Sequence, residues 1–183
     1  MHTFAPHTRI YLIGMPASGK TTLGRFLAEL LHYECIDLDK QIEIQEGATI
    51  PEIFERKGED YFRQLERRAL IQSFEWQKKV IATGGGTACF FDNMELIKEN
   101  GFSIFLGVSS QELVNRIRRQ THIHRPLFQL QTDEELLAEL NQKLAQRQPY
   151  YKQANMMVSA EDRNARQLAE YLIDFFQRWK DNL

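Results

Sequence analysis

At 183 residues and 21.5 kDa, with 43% hydrophobic and 26% charged side chains, the chain has the make-up of one folded domain, which excludes disorder as its main state. A formal net charge of -2 gives no basic footprint for nucleic acid and points to small-molecule partners. The two cysteines, Cys35 and Cys89, form no CxxC pair or disulfide framework and read as small buried residues in a reducing compartment. No stretch approaches the roughly 18 apolar residues of a spanning helix, and "MHTFAPHTR" has no secretory pattern, so a cytoplasmic protein without membrane or nucleic-acid partners is expected.

In chain order, "RIYLIG" opens as a continuous apolar run, the mark of a strand buried on both faces of a parallel sheet. Leu23, Phe26, Leu27, Leu30 and Leu31 then repeat at helical spacing. "YECIDL", "KVIATG", "FSIFLGV" and "ANMMVS" read as further strands. Leu136, Leu137, Leu140 and Leu144 mark a helix that Pro149 is expected to stop, and Ala165, Leu168, Ala169, Leu172, Ile173 and Phe176 mark a last one. Strands alternating with helices predict right-handed βαβ units, a mostly parallel sheet covered on both faces, and ligands at the carboxyl ends of its strands. No repeat, low-complexity tract or linker divides the chain, so residues 1–183 are expected to form a single domain. No apolar stripe exceeds what the core needs, which leaves a monomer as the expectation.

Gly14-Met-Pro-Ala-Ser-Gly19-Lys20-Thr21 satisfies GxxxxGK[ST] at each fixed position, between a predicted strand and a predicted helix. The glycines let several backbone N–H groups point into one concavity, and the helix N-terminus adds partial positive charge, so a phosphate belongs there. Nucleotide contacts fall to Gly14, Ala17, Ser18, Gly19, Lys20, Thr21 and Thr22, with Lys20 along the β- and γ-phosphates and Thr21 on Mg²⁺. Such a loop leaves the second substrate open, because switch GTPases, nucleotide kinases and metabolite kinases share it.

Asp37 and Asp39 close the second predicted strand two residues apart, a spacing that turns both carboxylates to one face. No acid ends "VIATGGG", so Asp37 is the better holder of Mg²⁺ through water. That leaves Asp39 to meet an acceptor hydroxyl or, alternatively, to cap a helix starting at Lys40. Arg63 and Glu66 share a helix face in "GEDYFRQLERR", the usual pattern of a surface ion pair. Gly84, Gly85 and Gly86 follow a strand and permit close backbone approach to a ligand, or form a flexible loop. Arg116, Arg118, Arg119, Arg125 and Arg147 lie beyond the fourth strand, where forked hydrogen bonds could clamp a phosphoryl group or a carboxylate. His122 and His124 alternate as metal ligands can, but they lack a third partner and read as surface.

Taken in order, "GMPASGKTTLGR", "DLD" followed by "IE", "IFERKGEDYFRQLE", "TGGGT", "RPL" and "RQPYY" resemble the shikimate kinase family across almost the whole chain. The resemblance implies an α/β, three-layer P-loop fold akin to the nucleoside monophosphate kinases: a five-stranded parallel sheet flanked by helices, with a mobile lid. The lid would span about 117–130 and a substrate-binding helical segment about 39–66. The implied reaction moves the γ-phosphate of ATP, with Mg²⁺, to the 3-hydroxyl of shikimate in aromatic amino-acid biosynthesis. Residue by residue, the resemblance implies catalytic roles for Lys20, Asp39 and Arg125, and metal contacts for Thr21 and Asp37. It implies shikimate contacts for Asp39, Arg63, Gly84, Gly85, Gly86 and Arg147, with Glu66 orienting the arginine. Arg125 would reach the phosphates on lid closure, and Arg118, or its neighbour Arg119, would lie against the adenine. Ala17 stands where many members have a further loop glycine, and the lid "QTHIHRPLFQLQ" matches the family only at Arg125, Pro126 and Leu127. A gluconate kinase-like enzyme would share the loop but not the Asp39, Arg63, triple-glycine and Arg147 set, and a non-catalytic nucleotide-binding module would leave that set idle.

Overall fold

The computed structural model describes residues 9–119 and 132–181. Five parallel strands form one sheet in the order β2-β3-β1-β4-β5, with β1 at Ile10–Ile13, β2 at Glu34–Asp37, β3 at Lys79–Ala82, β4 at Phe102–Gly107 and β5 at Met156–Ser159. Each lies inside one of the apolar runs. β1 is central, and Ile10, Tyr11, Leu12 and Ile13 are fully buried, because both faces of the sheet are covered. Ile10 stands level with Val80 of β3 and Phe102 of β4, so the loops leaving β1 and β3 emerge side by side.

Seven described helices flank the sheet: α1 Lys20–Leu31, α2 Leu38–Glu46, α3 Ile50–Gln72, α4 Asn93–Asn100, α5 Ser110–Arg119, α6 Asp133–Tyr151 and α7 Ala165–Asp181. α1 and α7 pack together through the stripes read from sequence, with Leu23, Leu27, Leu168 and Leu172 buried. Capping boxes start α3 (Thr49 with Glu52) and α6 (Thr132 with Glu135). α3 is broken at Gly58, where φ is 78° and ψ 176°; the part before it buries Ile53 and the part after it buries Phe62, Arg63, Leu65 and Glu66. Among the described residues no helix is long and apolar enough to cross a membrane.

Two features depart from the sequence reading. α6 does not stop at Pro149 but runs on to Tyr151. The proline removes one backbone donor close to the helix end, and the last turn is held from outside by Tyr151, whose ring stacks on Phe105 at 4.8 Å. Cys35 and Cys89 are half-buried rather than core residues, one on the edge strand β2 and the other ending a 3₁₀ turn, Thr87–Cys89.

Candidate active site

Between Ile13 and Lys20 the chain wraps into a loop that needs left-handed backbone. Gly19, just before α1, has φ 98°, which side chains rarely adopt, and Ala17 is held at φ 62°. Lys20 is 8% exposed, and its ammonium folds back to donate to the carbonyls of Gly14 (2.9 Å) and Met15 (2.8 Å). The Thr21 hydroxyl donates to Asp37 Oδ2 at 2.5 Å, which sets two hard oxygen groups side by side, one from α1 and one from the end of β2. Ser18 is buried beneath the loop, whereas Thr22 is exposed.

α5 latches this loop. Arg116 donates through Nη1 to the Ser18 carbonyl (2.9 Å) and through Nη2 to the Ala160 carbonyl (2.5 Å), while Glu112, one turn back, accepts from Nε at 2.8 Å. Arg118 turns instead to Asp133 at the start of α6, at 2.8 Å, and Arg119 is exposed. Arg125 lies outside the described residues, as do His122 and His124.

The residues expected on the acceptor side come from β2, α2, α3, the turn after β3, and α6. β2 ends at Asp37 and α2 begins at Leu38, so Asp39 lies on the first turn of a helix and not along a strand. Asp37, rather than Asp39, is the cap, accepting from Lys40 N at 3.3 Å. The expected strand alternation therefore does not relate the two acids; helix initiation does, because the capping carboxylate itself ends the strand.

Arg63 and Glu66 form a buried pair, not the surface pair that their spacing suggests, with side chains 10% and 2% exposed and Nη1 donating to Oε2 at 2.5 Å. Thr87 donates to the other Glu66 oxygen at 2.6 Å. Glu59 accepts from Nε and Nη2 of Arg63 at 3.0 and 2.7 Å, and the Phe90 ring lies 4.1 Å from the guanidinium carbon. Burial works against the Arg63 charge, but Glu66 and Glu59 outweigh it and hold the pKa above its ordinary value.

The glycine triplet is required by space. A Cβ on Gly84 would stand 2.6 Å from Asp39 Oδ1, one on Gly85 2.5 Å from Pro16 Cδ, and one on Gly86 2.6 Å from Arg63 Nη1. Arg147 Nη1 and the Tyr151 hydroxyl both donate to the Gly85 carbonyl, at 3.0 and 2.6 Å. Burial pushes the neighbouring Cys89 thiol up to about 11, so it stays protonated at neutral pH and is a poor nucleophile.

Sequence reasoning missed the Glu59 contact, the Thr87 and Tyr151 hydroxyls and the grip of Arg116. Glu59 precedes Arg63 by one helical turn, a signal in plain view. The other three act on partners 21, 66 and 98 residues away, which no local spacing reveals.

A phosphate loop and a neighbouring cluster of arginines and acids meet at Gly85, at the carboxyl edge of a five-stranded parallel sheet, and this arrangement is that of a small-molecule P-loop kinase of the nucleoside monophosphate kinase type. The shikimate kinase family model matches residues 16–177. The shikimate kinase of Bacteroides fragilis is 44% identical over 153 residues, covering 84% of this chain and 85% of that one. The crystal structure of shikimate kinase from Bacteroides thetaiotaomicron has a TM-score of 0.87 at 38% identity, over 93% of this chain and 98% of its own. That of the Acinetobacter baumannii shikimate kinase, in complex with shikimate, has a TM-score of 0.83 at 37% identity and covers 95% of each chain. The chain belongs to the shikimate kinase family, enzymes that phosphorylate shikimate with ATP as the phosphate donor.

Proposed function

We propose that this site transfers the ATP γ-phosphoryl to the 3-hydroxyl of shikimate, with the work divided at Gly85. In the nucleotide half, the backbone from Gly14 to Thr22 holds the phosphates. Lys20 exchanges the loop carbonyls for phosphate oxygens and offsets charge on the transferring group. Thr21 and Asp37 fit Mg²⁺, which takes few protein oxygens and keeps water and phosphate as its other ligands. Bound there, the ion would supply charge neutralisation at the phosphate oxygens. Arg118, whose pair with Asp133 is open to water, is assigned to the adenine side, and Arg116, already fixed on the loop, stands beside it. Arg125, from a lid at about 117–130, is assigned to the phosphates on closure.

In the acceptor half, Asp39 orients the 3-hydroxyl and takes its proton. Arg63 and Arg147 grip the carboxylate, Glu66 and Thr87 fix Arg63, and Gly84, Gly85 and Gly86 lie beneath the ring. The enzyme acts as a cytoplasmic monomer on this reading. The observation that carries the reading is the double contact at Gly85, with Pro16 of the nucleotide loop against its backbone and Arg147 on its carbonyl. ATP turnover with and without shikimate, in wild type and Arg63→Lys, tests it. Turnover should require shikimate, and the lysine variant should raise the shikimate KM roughly tenfold or more with little change for ATP, because the charge is kept and the fork is lost. A shift confined to the ATP KM would remove Arg63 from the acceptor half.

A further inference from the structure

Two carboxylates hold Arg63, and they are held very differently. Glu66 is 2% exposed and locked by Thr87, so its departure would strand a buried charge. Glu59 is 55% exposed and follows the break at Gly58. It nevertheless occupies the better position: Nε and Nη2, the side-on fork that matches a carboxylate, both donate to its Oε1 at 3.0 and 2.7 Å. Because the Glu59 side of this pair is open to water while Arg63 is buried, this acid is the more readily exchanged of the two. Nor is it needed to aim the arginine, which Glu66, the Phe90 ring and the Gly86 backbone already confine.

We propose that Glu59 is an internal competitor for the substrate carboxylate: it fills the Nε–Nη2 fork of Arg63 before shikimate binds, moves into water when shikimate arrives, and so sets the affinity of the pocket for an acid. The proposal rests on the reading that Arg63 grips the carboxylate. A neutral ring bearing the same hydroxyls has no group to exchange for Glu59 and leaves the pair intact. The competition therefore acts on acids and not on esters.

The test is calorimetric titration without nucleotide, using shikimate and its methyl ester, beside steady-state kinetics, for wild type, Glu59→Gln, Glu59→Ala, Arg63→Lys and the Glu59→Gln/Arg63→Lys pair. Both Glu59 variants should tighten the shikimate Kd roughly two- to five-fold, the size of an exposed ion pair, and leave the ester Kd and the ATP KM unchanged. In the Arg63→Lys background the gain should vanish, since the fork being contested is gone. Unchanged or weaker shikimate binding in both Glu59 variants, with Arg63→Lys still impairing the acid, overturns the competition alone; weaker binding would make Glu59 a residue that positions Arg63. If Arg63→Lys leaves acid and ester alike untouched, the carboxylate reading of Arg63 falls, and the competition falls with it.

Discussion

Ala17 holds φ 62° in the phosphate loop, where a Cβ crowds the following carbonyl at a cost of roughly 1–2 kcal/mol. The loop pattern leaves this position open, and the fold gives the methyl group only partial packing against the core. Ala17→Gly should therefore raise stability by about 0.5–1 kcal/mol, the backbone relief minus the extra freedom of glycine when unfolded. A urea midpoint that shifts downward would show that the methyl packing outweighs the strain. Three residues on, Lys20 answers to chemistry rather than to stability. Lys20→Met gives up two hydrogen bonds from an ammonium to loop carbonyls, about 1.5–3 kcal/mol each, so the melting temperature should drop while the domain stays folded. It removes the one loop ammonium that can follow the transferring phosphoryl group, so kcat/KM should fall at least roughly 10²–10³-fold. Circular dichroism beside kinetics checks both halves of that claim, and near-wild-type turnover would take the loop lysine out of the mechanism.

Among the elements, α6 links the two halves because it outlasts its proline. Had it ended at Pro149, Tyr151 would not be on a helical turn one step beyond Arg147, and the Gly85 carbonyl would have one donor instead of two. Tyr151→Phe keeps the ring on Phe105 and removes only the hydroxyl. It should cost about 1 kcal/mol of stability and raise the shikimate KM several-fold, with a smaller change for ATP, because Gly85 borders the acceptor pocket. Denaturation and steady-state constants together decide, and a stability loss with both KM values intact would make the bond purely structural. The inner strands β1, β3 and β4 were legible because a strand buried on both faces needs a nearly unbroken apolar run, the half-exposed edge strands β2 and β5 as shorter runs between turn residues, and the helices of the core because their stripes repeat at 3.6 residues. What was not legible is decided by partners distant in sequence. Pro149 reads as a stop until Tyr151 meets Gly85, Arg63 and Glu66 read as a surface pair until Thr87 covers them, and Asp39 reads as a strand residue until Asp37 caps α2. The phosphate loop needed no such help, since its chemistry is written in consecutive residues.

At the scale of the molecule, a shikimate kinase of net charge -2 acts on two anions, and on the proposed assignment it does so by placing charge rather than accumulating it. From β1 the chain crosses to β2 on one side, and from β3 it crosses to β4 on the other, so a crevice opens at the carboxyl ends of the central strands. On the proposed assignment Lys20, Arg63, Arg116 and Arg147 border that crevice, and the neighbouring glycines Gly85 and Gly86 separate its halves. The separation can be measured with a single methyl group at two adjacent positions. In Gly85→Ala the new Cβ would stand 2.5 and 2.6 Å from the Pro16 ring and 2.9 Å from its backbone nitrogen, so a rigid part of the nucleotide loop must yield. In Gly86→Ala it would stand 2.6 Å from Arg63 Nη1, the tip of a side chain that serves only the acceptor half. Overpacking of this kind costs roughly 1–3 kcal/mol, equivalent to about 5–150-fold in binding. Gly85→Ala should therefore raise the KM for both ATP and shikimate and lower the melting temperature, whereas Gly86→Ala should raise the shikimate KM alone. Steady-state kinetics on the two variants, with thermal melts to place their stability, separates the outcomes. An ATP KM left intact by Gly85→Ala would mean that the wall between the halves gives way without disturbing the loop, and that the two sites are coupled elsewhere.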